Sequence, residues 1–333
     1  MQFKNIQPSF DSNRQVLGKI LPLDTPFTVI IDSSEACNFQ CSYCFRADAN
    51  KENWGYAKHQ ELMQWDTFLK IVEQLKAFPQ PIKQISLSHH GEPLCHKRLP
   101  EMVKYIKSQG ITARISIHTN ASLLKGTMLD ELAECGIDRV VVSLQGLSSD
   151  KYKQVCGFTL NYGELVDSIA TFYKKKKKNT QLCVKIADVA LLPEEHEIFY
   201  KTFSDKCDRM YVEKIVPIWM NRAQIGQKPV AENKFGFKFE PQTCCPLIFH
   251  TIVVSPNGDV YPCTQLLTPH VLGNIHTSSL LELWNSEKRT ALLKEQCHPQ
   301  QPALCQNCYI LQNCIFSKED MIDSYREEIY NRL

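Results

Sequence analysis

The sequence predicts an α/β fold, a set of parallel βα units followed by a small cysteine-rich unit, and three observations point there. Short runs rich in β-branched residues alternate with amphipathic stretches, the pattern of strands joined by crossover helices. Glycine and polar residues follow each run, so they gather at one rim, where barrel folds place their active sites. The chain also carries 15 cysteines in 333 residues, many of them near residue 40 and beyond residue 243.

The strand-like runs are 27–32, 84–88, 113–118, 139–144, 182–186 and 210–215. Between them lie helix-like stretches at 65–76, 100–109, 125–135 and 165–173, each with apolar residues at spacings of three and four. The first run leads into Cys37, Cys41 and Cys44. After the second come His89, His90, Gly91, Glu92 and Pro93, and after the third Thr119 and Asn120. The fourth ends in Ser143 with Gln145 and Gly146, the fifth carries Lys185 with Asp188 just beyond, and the sixth leads to Glu213, Pro217 and Trp219. Six units suit a partial barrel or an open doubly wound sheet.

A chain that is 43% hydrophobic and 22% charged is ordinary for a soluble globular protein, and its length fits one large domain with a smaller one. The net charge of +2 selects no acidic partner. Five lysines at 174–178 follow an apolar-periodic stretch, so they read as a helix C-terminus, where positive charge complements the dipole, rather than a nucleic-acid patch. Residues 1–10 have no apolar core, which argues against secretion, and no apolar run approaches the ~18 residues of a membrane span. Abundant cysteine without a secretory signal points to metal binding in a reducing cytoplasm rather than to disulfides.

Cys37, Cys41 and Cys44 make a C-x3-C-x2-C run on one loop. Protein-held iron–sulfur clusters and structural zinc sites take four ligands. Three thiolates leave one position open, and an open position is where a metal does chemistry. An incomplete zinc knuckle or three unconnected thiols are the plainer alternatives. With Tyr43 just before the last cysteine, the run resembles the radical S-adenosylmethionine (SAM) superfamily.

That resemblance implies a partial (β/α)6 TIM-like barrel and a [4Fe–4S] cluster on Cys37, Cys41 and Cys44, whose fourth iron chelates SAM beside Tyr43. Gly91, Glu92 and Pro93 resemble the family's GGEP motif with His90 in place of the first glycine, and imply Glu92 as receiver of the SAM ammonium group. Thr119-Asn120 resembles Thr-Asn-Gly with Ala121 at the glycine, and Ser143-Leu144-Gln145-Gly146 resembles Ser-Leu-Asp-Gly; Asn120 and Ser143 are thereby implied as SAM contacts. The segment 152–157 resembles Tyr-x-x-Ile-Arg-Gly with Cys156 at the arginine. The chain then needs another cation for the SAM carboxylate, and Lys185 is the candidate; a surface lysine is its plainer reading. The implied reaction begins with an electron, from a donor such as flavodoxin or ferredoxin, that cleaves SAM to methionine and a 5′-deoxyadenosyl radical. The radical then takes hydrogen from a substrate.

The C-terminal region resembles the SPASM/Twitch extension of some members of that superfamily. Asn257-Gly258 is a hairpin signal between two apolar runs, which brings Cys245 and Cys263 together, and Cys305 and Cys308 form a C-x2-C pair. These four thiolates close one auxiliary [4Fe–4S] cluster or a zinc site. A full SPASM domain needs more cysteines than the chain offers, since Lys318 stands at one expected position. Cys244 is an alternative ligand to Cys245. Cys314 is a ligand, a hydrogen-atom donor alongside Cys156, or a buried thiol. The expected organisation is 1–25 an extension, 26–220 the core barrel, 221–243 a linker, 244–316 the auxiliary domain and 317–333 a helical tail.

Two substrates fit this resemblance: a small polar metabolite of sugar or aminocyclitol type, oxidised with the auxiliary cluster as electron acceptor, or a ribosomal peptide undergoing thioether formation, crosslinking or epimerisation. The 25 residues before the barrel are short for a fused peptide-recognition winged helix, which leans toward the metabolite. A non-catalytic iron–sulfur electron-transfer protein is the third reading. No nucleic acid and no membrane enter any of them.

Overall fold

The structure is a computed structural model that describes residues 14–44, 61–214, 242–264, 271–302, 305–306, 308, 310–311 and 316–333. Its strands are Thr28–Ile31 (β1), Gln84–Ser86 (β2), Arg114–Thr119 (β3), Arg139–Leu144 (β4), Gln181–Ala187 (β5), Arg209–Glu213 (β6), Thr251–Val254 (β7), Asp259–Tyr261 (β8) and Gly273–Asn274 (β9). They form one sheet in the order β6-β5-β4-β3-β2-β1-β7-β8-β9. From β1 to β6 the order in space is the order in sequence, and every neighbouring pair is parallel. A doubly wound sheet reverses its strand order at a switch point. Within β1–β6 there is no such reversal, so right-handed crossovers place the helices between these strands on one face, as a partial barrel requires.

Both faces of the central strands are covered, which is why β4 reads Arg-Val-Val-Val-Ser-Leu rather than alternating. After a short first helix, Leu17–Ile20 (α1), the covering helices are amphipathic. Trp65–Leu75 (α2) buries Phe68, Ile71, Val72 and Leu75, and Leu99–Ser108 (α3) buries Leu99, Met102, Val103 and Ile106; apolar side chains three and four apart form one stripe. Gly126–Glu134 (α4) follows β3, and Ser149–Cys156 (α5) and Tyr162–Lys175 (α6) follow β4. Lys174 and Lys175 occupy the last turn of α6, as the charge pattern predicts.

The C-terminal unit continues the same sheet. β7 pairs with β1 in parallel, Thr28 to Ile31 opposite Thr251 to Val254. β7 and β8 form the expected antiparallel hairpin, turned at Gly258 with φ of 89°, a value that favours glycine. Ile252, Val254, Val260 and Trp284 belong to the same core as the barrel strands.

A second, smaller core joins the two ends of the described chain. Leu17 and Leu21, Cys244, Ile248 and Phe249, Leu293 and Cys297, and Ile322 and Ile329 pack together. The Arg332 guanidinium donates to the carbonyls of Gly18 at 3.1 Å and Leu21 at 2.9 Å. Most of the expected linker 221–243 lies outside the described residues, as do Pro217 and Trp219 before it. Among the described residues no helix is long and apolar enough to cross a membrane.

Candidate active site

The cysteine loop leaves β1 under tight backbone control. The Asp32 amide donates to the Val254 carbonyl at 2.8 Å, and the Ser33 hydroxyl donates to the Leu87 carbonyl at 2.7 Å. Phe39 anchors the loop between the rings of Tyr152 and Phe158, with centroids 6.1 and 4.8 Å away. The Cys44 amide turns back to the Cys41 carbonyl at 2.8 Å. The end of α5 holds the loop from behind: the Gln40 amide donates to the Cys156 carbonyl at 3.0 Å and the Ser42 amide to the Val155 carbonyl at 2.8 Å.

Cys37, Cys41 and Cys44 are half-buried neighbours. A side-chain hydrogen bond with Cys156, burial, and the adjacent Cys44 and Cys37 push the Cys41 thiol far above the usual range. Burial, then Cys41 and Cys44, does the same to the Tyr43 phenol. Thiols crowded this way resist ionisation until a cation relieves them, which is what a cluster with three thiolate-bound irons does.

Gly91, Glu92 and Pro93 lie against the start of that loop. The Glu92 amide donates to the Ala36 carbonyl at 2.8 Å, and Pro93 opens a short 3-10 turn, Pro93–Cys95. The Glu92 carboxylate is buried and accepts from the Leu94 amide at 3.0 Å, the Thr119 hydroxyl at 2.6 Å and the Asn120 amide at 2.7 Å. Burial nevertheless pushes its pKa up to about 7 against the pull of those three donors. A carboxylate held this way gains from a cation brought beside it, and so suits an ammonium group.

Asn120 ties the β3 loop to the cysteine loop. Its side-chain amide donates to the Asn38 side-chain oxygen at 3.0 Å, and Asn38 donates to the Ser122 hydroxyl at 2.8 Å. Ala121 takes the left-handed conformation, φ 59°, at the position where the related signature has glycine. Ser143 and Lys185 stand opposite each other on β4 and β5. The Lys185 ammonium is paired with Glu213 of β6, so the candidate cation for the SAM carboxylate already has a counter-ion.

Asp32, His90 and the half-buried His89 form a polar row that spacing alone does not reveal. Asp32 Oδ2 lies 3.1 Å from His90 Nδ1, and the His90 and His89 rings are 3.8 Å apart between centroids. Burial, with His90 beside it, pushes His89 down to about 3, against a hydrogen bond with the Thr264 backbone. His89 is therefore neutral near pH 7, and the row runs from β1 to the residue after Cys263. Asn38 and Asp32 were the site residues least visible in sequence; their position directly beside the first cysteine and at the end of the first strand was the available signal.

The second cysteine set also converges. Burial and then Cys263, Cys308 and Cys305 push the Cys245 thiol well up, and burial with Cys263 and Cys308 pushes Cys305 up to about 12. A turn, with the Cys308 amide donating to the Cys305 carbonyl at 3.1 Å, presents the C-x2-C pair. Cys244 lies elsewhere: it packs with Cys297 in the second core. Among the described residues no three His, Cys, Asp or Glu side chains close on one point as a single ion needs. Cys314 lies outside the described residues. Cys135, Cys183 and Cys207 are buried in the main fold and Cys95 half-buried.

Comparison with known proteins follows the same division. The model of the radical SAM superfamily matches residues 31–203, just over half of the chain, and that of an iron–sulfur cluster-binding domain matches residues 244–309. The tungsten-containing aldehyde ferredoxin oxidoreductase cofactor-modifying protein of Pyrococcus furiosus is 24% identical over 90% of this chain and 91% of its own. A probable GTP 3′,8-cyclase of Methanococcus maripaludis is 38% identical over 36% of each chain. Among solved structures, Streptococcus suis SuiB bound to precursor peptide SuiA superposes with a TM-score of 0.63 at 17% identity, covering 90% of this chain and 73% of that one. BtrN in complex with AdoMet and 2-DOIA superposes with a TM-score of 0.55 at 21% identity, covering 89% and 97%.

Proposed function

Because this chain belongs to the radical SAM superfamily, we propose that it is an oxidoreductase acting on a small polar metabolite of sugar or aminocyclitol type. Its cofactors are a [4Fe–4S] cluster with SAM and an auxiliary iron–sulfur cluster. Cys37, Cys41 and Cys44 hold the first, and Cys245, Cys263, Cys305 and Cys308 hold the second. Bound there, these groups supply a hydrogen-abstracting 5′-deoxyadenosyl radical and a one-electron acceptor. Family membership sets aside the reading as a non-catalytic electron carrier.

The protein's own part is placement. Glu92 receives the SAM ammonium group, fixed by Leu94, Thr119 and Asn120. Tyr43, Gly91, Pro93 and Asn120 shape the same wall, and Ser143 near the end of β4 is a further SAM contact. Lys185 is paired with Glu213 and serves the SAM carboxylate only on release from it. A secondary alcohol oxidised to a ketone gives up one hydrogen atom, one proton and one electron. The observation that carries this reading is Cys245 packed with Cys308, with Cys263 and Cys305 close enough to raise its pKa through space. Four thiolates satisfy all four irons of a cube, which leaves that cluster to take an electron rather than bind substrate.

Maturation of a ribosomal peptide is the second reading, favoured by the likeness in fold to a structure solved with its precursor peptide. There Cys314 is the candidate hydrogen-atom donor. Reduction by a flavodoxin or ferredoxin and residence in the cytoplasm complete the proposal.

The test is anaerobic reconstitution, iron and sulfide counts, and SAM cleavage with dithionite. About eight irons per chain with release of 5′-deoxyadenosine support the two-cluster enzyme. About four irons with stoichiometric zinc reassign the second cysteine set and remove the electron acceptor. Consumption of a peptide substrate in place of an alcohol turns the choice to the second reading.

A further inference from the structure

The tail 317–333 follows the cysteine-rich unit in sequence, yet it packs against that unit's cysteines. Phe316 is buried with Cys245 and Leu311, and Met321 and Cys308 pack against them. Two residues beyond Met321, the Asp323 carboxylate takes hold of the segment that leads into Cys245. Its Oδ1 accepts from the Thr243 amide at 2.9 Å and from the Thr243 hydroxyl, and its Oδ2 accepts from the Cys244 amide at 3.4 Å. The Thr243 carbonyl is held as well, by the side-chain amides of Gln296, at 3.4 Å, and Gln301.

Asp323 is itself fixed. Arg326 Nη2 donates to its Oδ1 at 2.9 Å. The tail around it is fastened to the start of the chain, where Arg14 pairs with Asp320 and the Tyr325 ring fills the space that a Cβ on Gly18 of α1 would take.

We propose that Asp323 is a positioning residue for the auxiliary site, fixing the backbone at 243–244 so that Cys245, and not Cys244, presents its sulfur beside Cys308. The inference rests on the reading of Cys245, Cys263, Cys305 and Cys308 as one metal site. Cys244 packs in the second core and Cys245 in the small one around Leu311, so a backbone turned over at this point would exchange the two thiols. Hydrogen bonds to a carboxylate are roughly twice as strong as neutral ones, which makes Asp323 the firmest of the groups holding Thr243. Groups that orient a ligand typically contribute about tenfold or more to metal affinity.

The experiment compares full-length Asp323→Ala and Asp323→Asn with the parent after anaerobic reconstitution. Iron, sulfide and zinc are counted before and during exposure to EDTA, and the electron paramagnetic resonance signal that changes on adding SAM reports the first cluster. Asp323→Ala is expected to lose metal from the second site about tenfold faster, with the SAM-responsive signal at the parent level. Asp323→Asn keeps an oxygen for Thr243 and is expected to recover most of the difference. Parent-like loss in Asp323→Ala overturns the inference, and so does equal loss in both variants, since the acceptor would then count for nothing. Loss from both sites at once with a lower melting temperature also overturns it, as general loosening of the fold. If the parent holds zinc in the second site, the electron-acceptor reading falls, while the same comparison made on zinc still decides for or against Asp323. A parent with no metal there removes the site and the inference together.

Discussion

Gly91 and Ser34 are in backbone contact: a Cβ added to Gly91 would stand 2.1 Å from the Ser34 carbonyl oxygen, and 2.5 Å from that of Ala36. Both obstacles are main chain at the root of the cysteine loop, so no side chain can swing away. Gly91→Ala is expected to cost about 2–3 kcal/mol of stability and to abolish SAM cleavage by pushing Glu92 off the loop. Thermal melting and 5′-deoxyadenosine release of the reconstituted variant check this. Parent-like values in both would mean that the two segments move apart freely.

Ala121 carries strain that its neighbours enforce. At φ 59° an alanine sits where only glycine is at ease, and the Ala121 amide donates to the Thr119 hydroxyl at 2.9 Å. Ala121→Gly is expected to leave stability unchanged or slightly raised, because relief of strain offsets the extra freedom of the unfolded chain. Ala121→Val, β-branched and buried, is expected to lose about 2 kcal/mol or more. Urea midpoints of the pair measure the difference, and equal midpoints would count against strain at this residue.

Glu92 predicts a pH dependence for SAM binding. The carboxylate must be ionised to receive an ammonium group, and burial pushes its pKa up to about 7. Affinity is therefore full above that value and falls as pH drops through it, by about tenfold at one unit below. Glu92→Gln should bind weakly at every pH and lose the slope, since it carries no charge and its NH2, at either oxygen's place, faces a backbone N–H donor. Equilibrium dialysis of SAM against the reconstituted protein between about pH 6 and about pH 8 gives the curve; a flat one removes Glu92 from the ammonium site.

Two adjacent cysteines are expected to behave differently. Cys245→Ser should lower iron by about four per chain, while Cys244→Ser, at a residue that packs with Cys297, should keep it all. Iron analysis after anaerobic reconstitution decides, and the reverse result would move the ligand to Cys244.

The strands were legible because β-branched runs announce them: 139–144 is the extent of β4 in the sequence reading and in the structure alike. Helix α5 was not, since Ser149–Cys156 is mostly polar and buries only Tyr152, Val155 and Cys156. Glu195–Phe203, with Phe199 and Phe203 buried, was missed for the same reason. The spacing of the cysteines was enough to single them out, but their surroundings were not. That Lys185 is neutralised depends on Glu213, a residue on the next strand, and pairings across strands leave no trace in local pattern. The choice between Cys244 and Cys245 likewise depends on which way a backbone turn faces. The joining of 14–25 to the tail needed tertiary packing through Leu17, Leu21 and Ile329.

The parallel pairing of β1 with β7 has a consequence for how the chain can be divided. β1 is Thr-Val-Ile-Ile, and without β7 one side of it is a bare row of amides and carbonyls on an apolar strand. Such edges template aggregation, and natural sheets cover them. Residues 251–254 therefore act as an edge guard for the barrel, whatever the cysteines beside them bind. A fragment ending after β6 would keep the first cysteine loop and every residue around Glu92, and yet be expected to pair with its own kind through Thr28–Ile31.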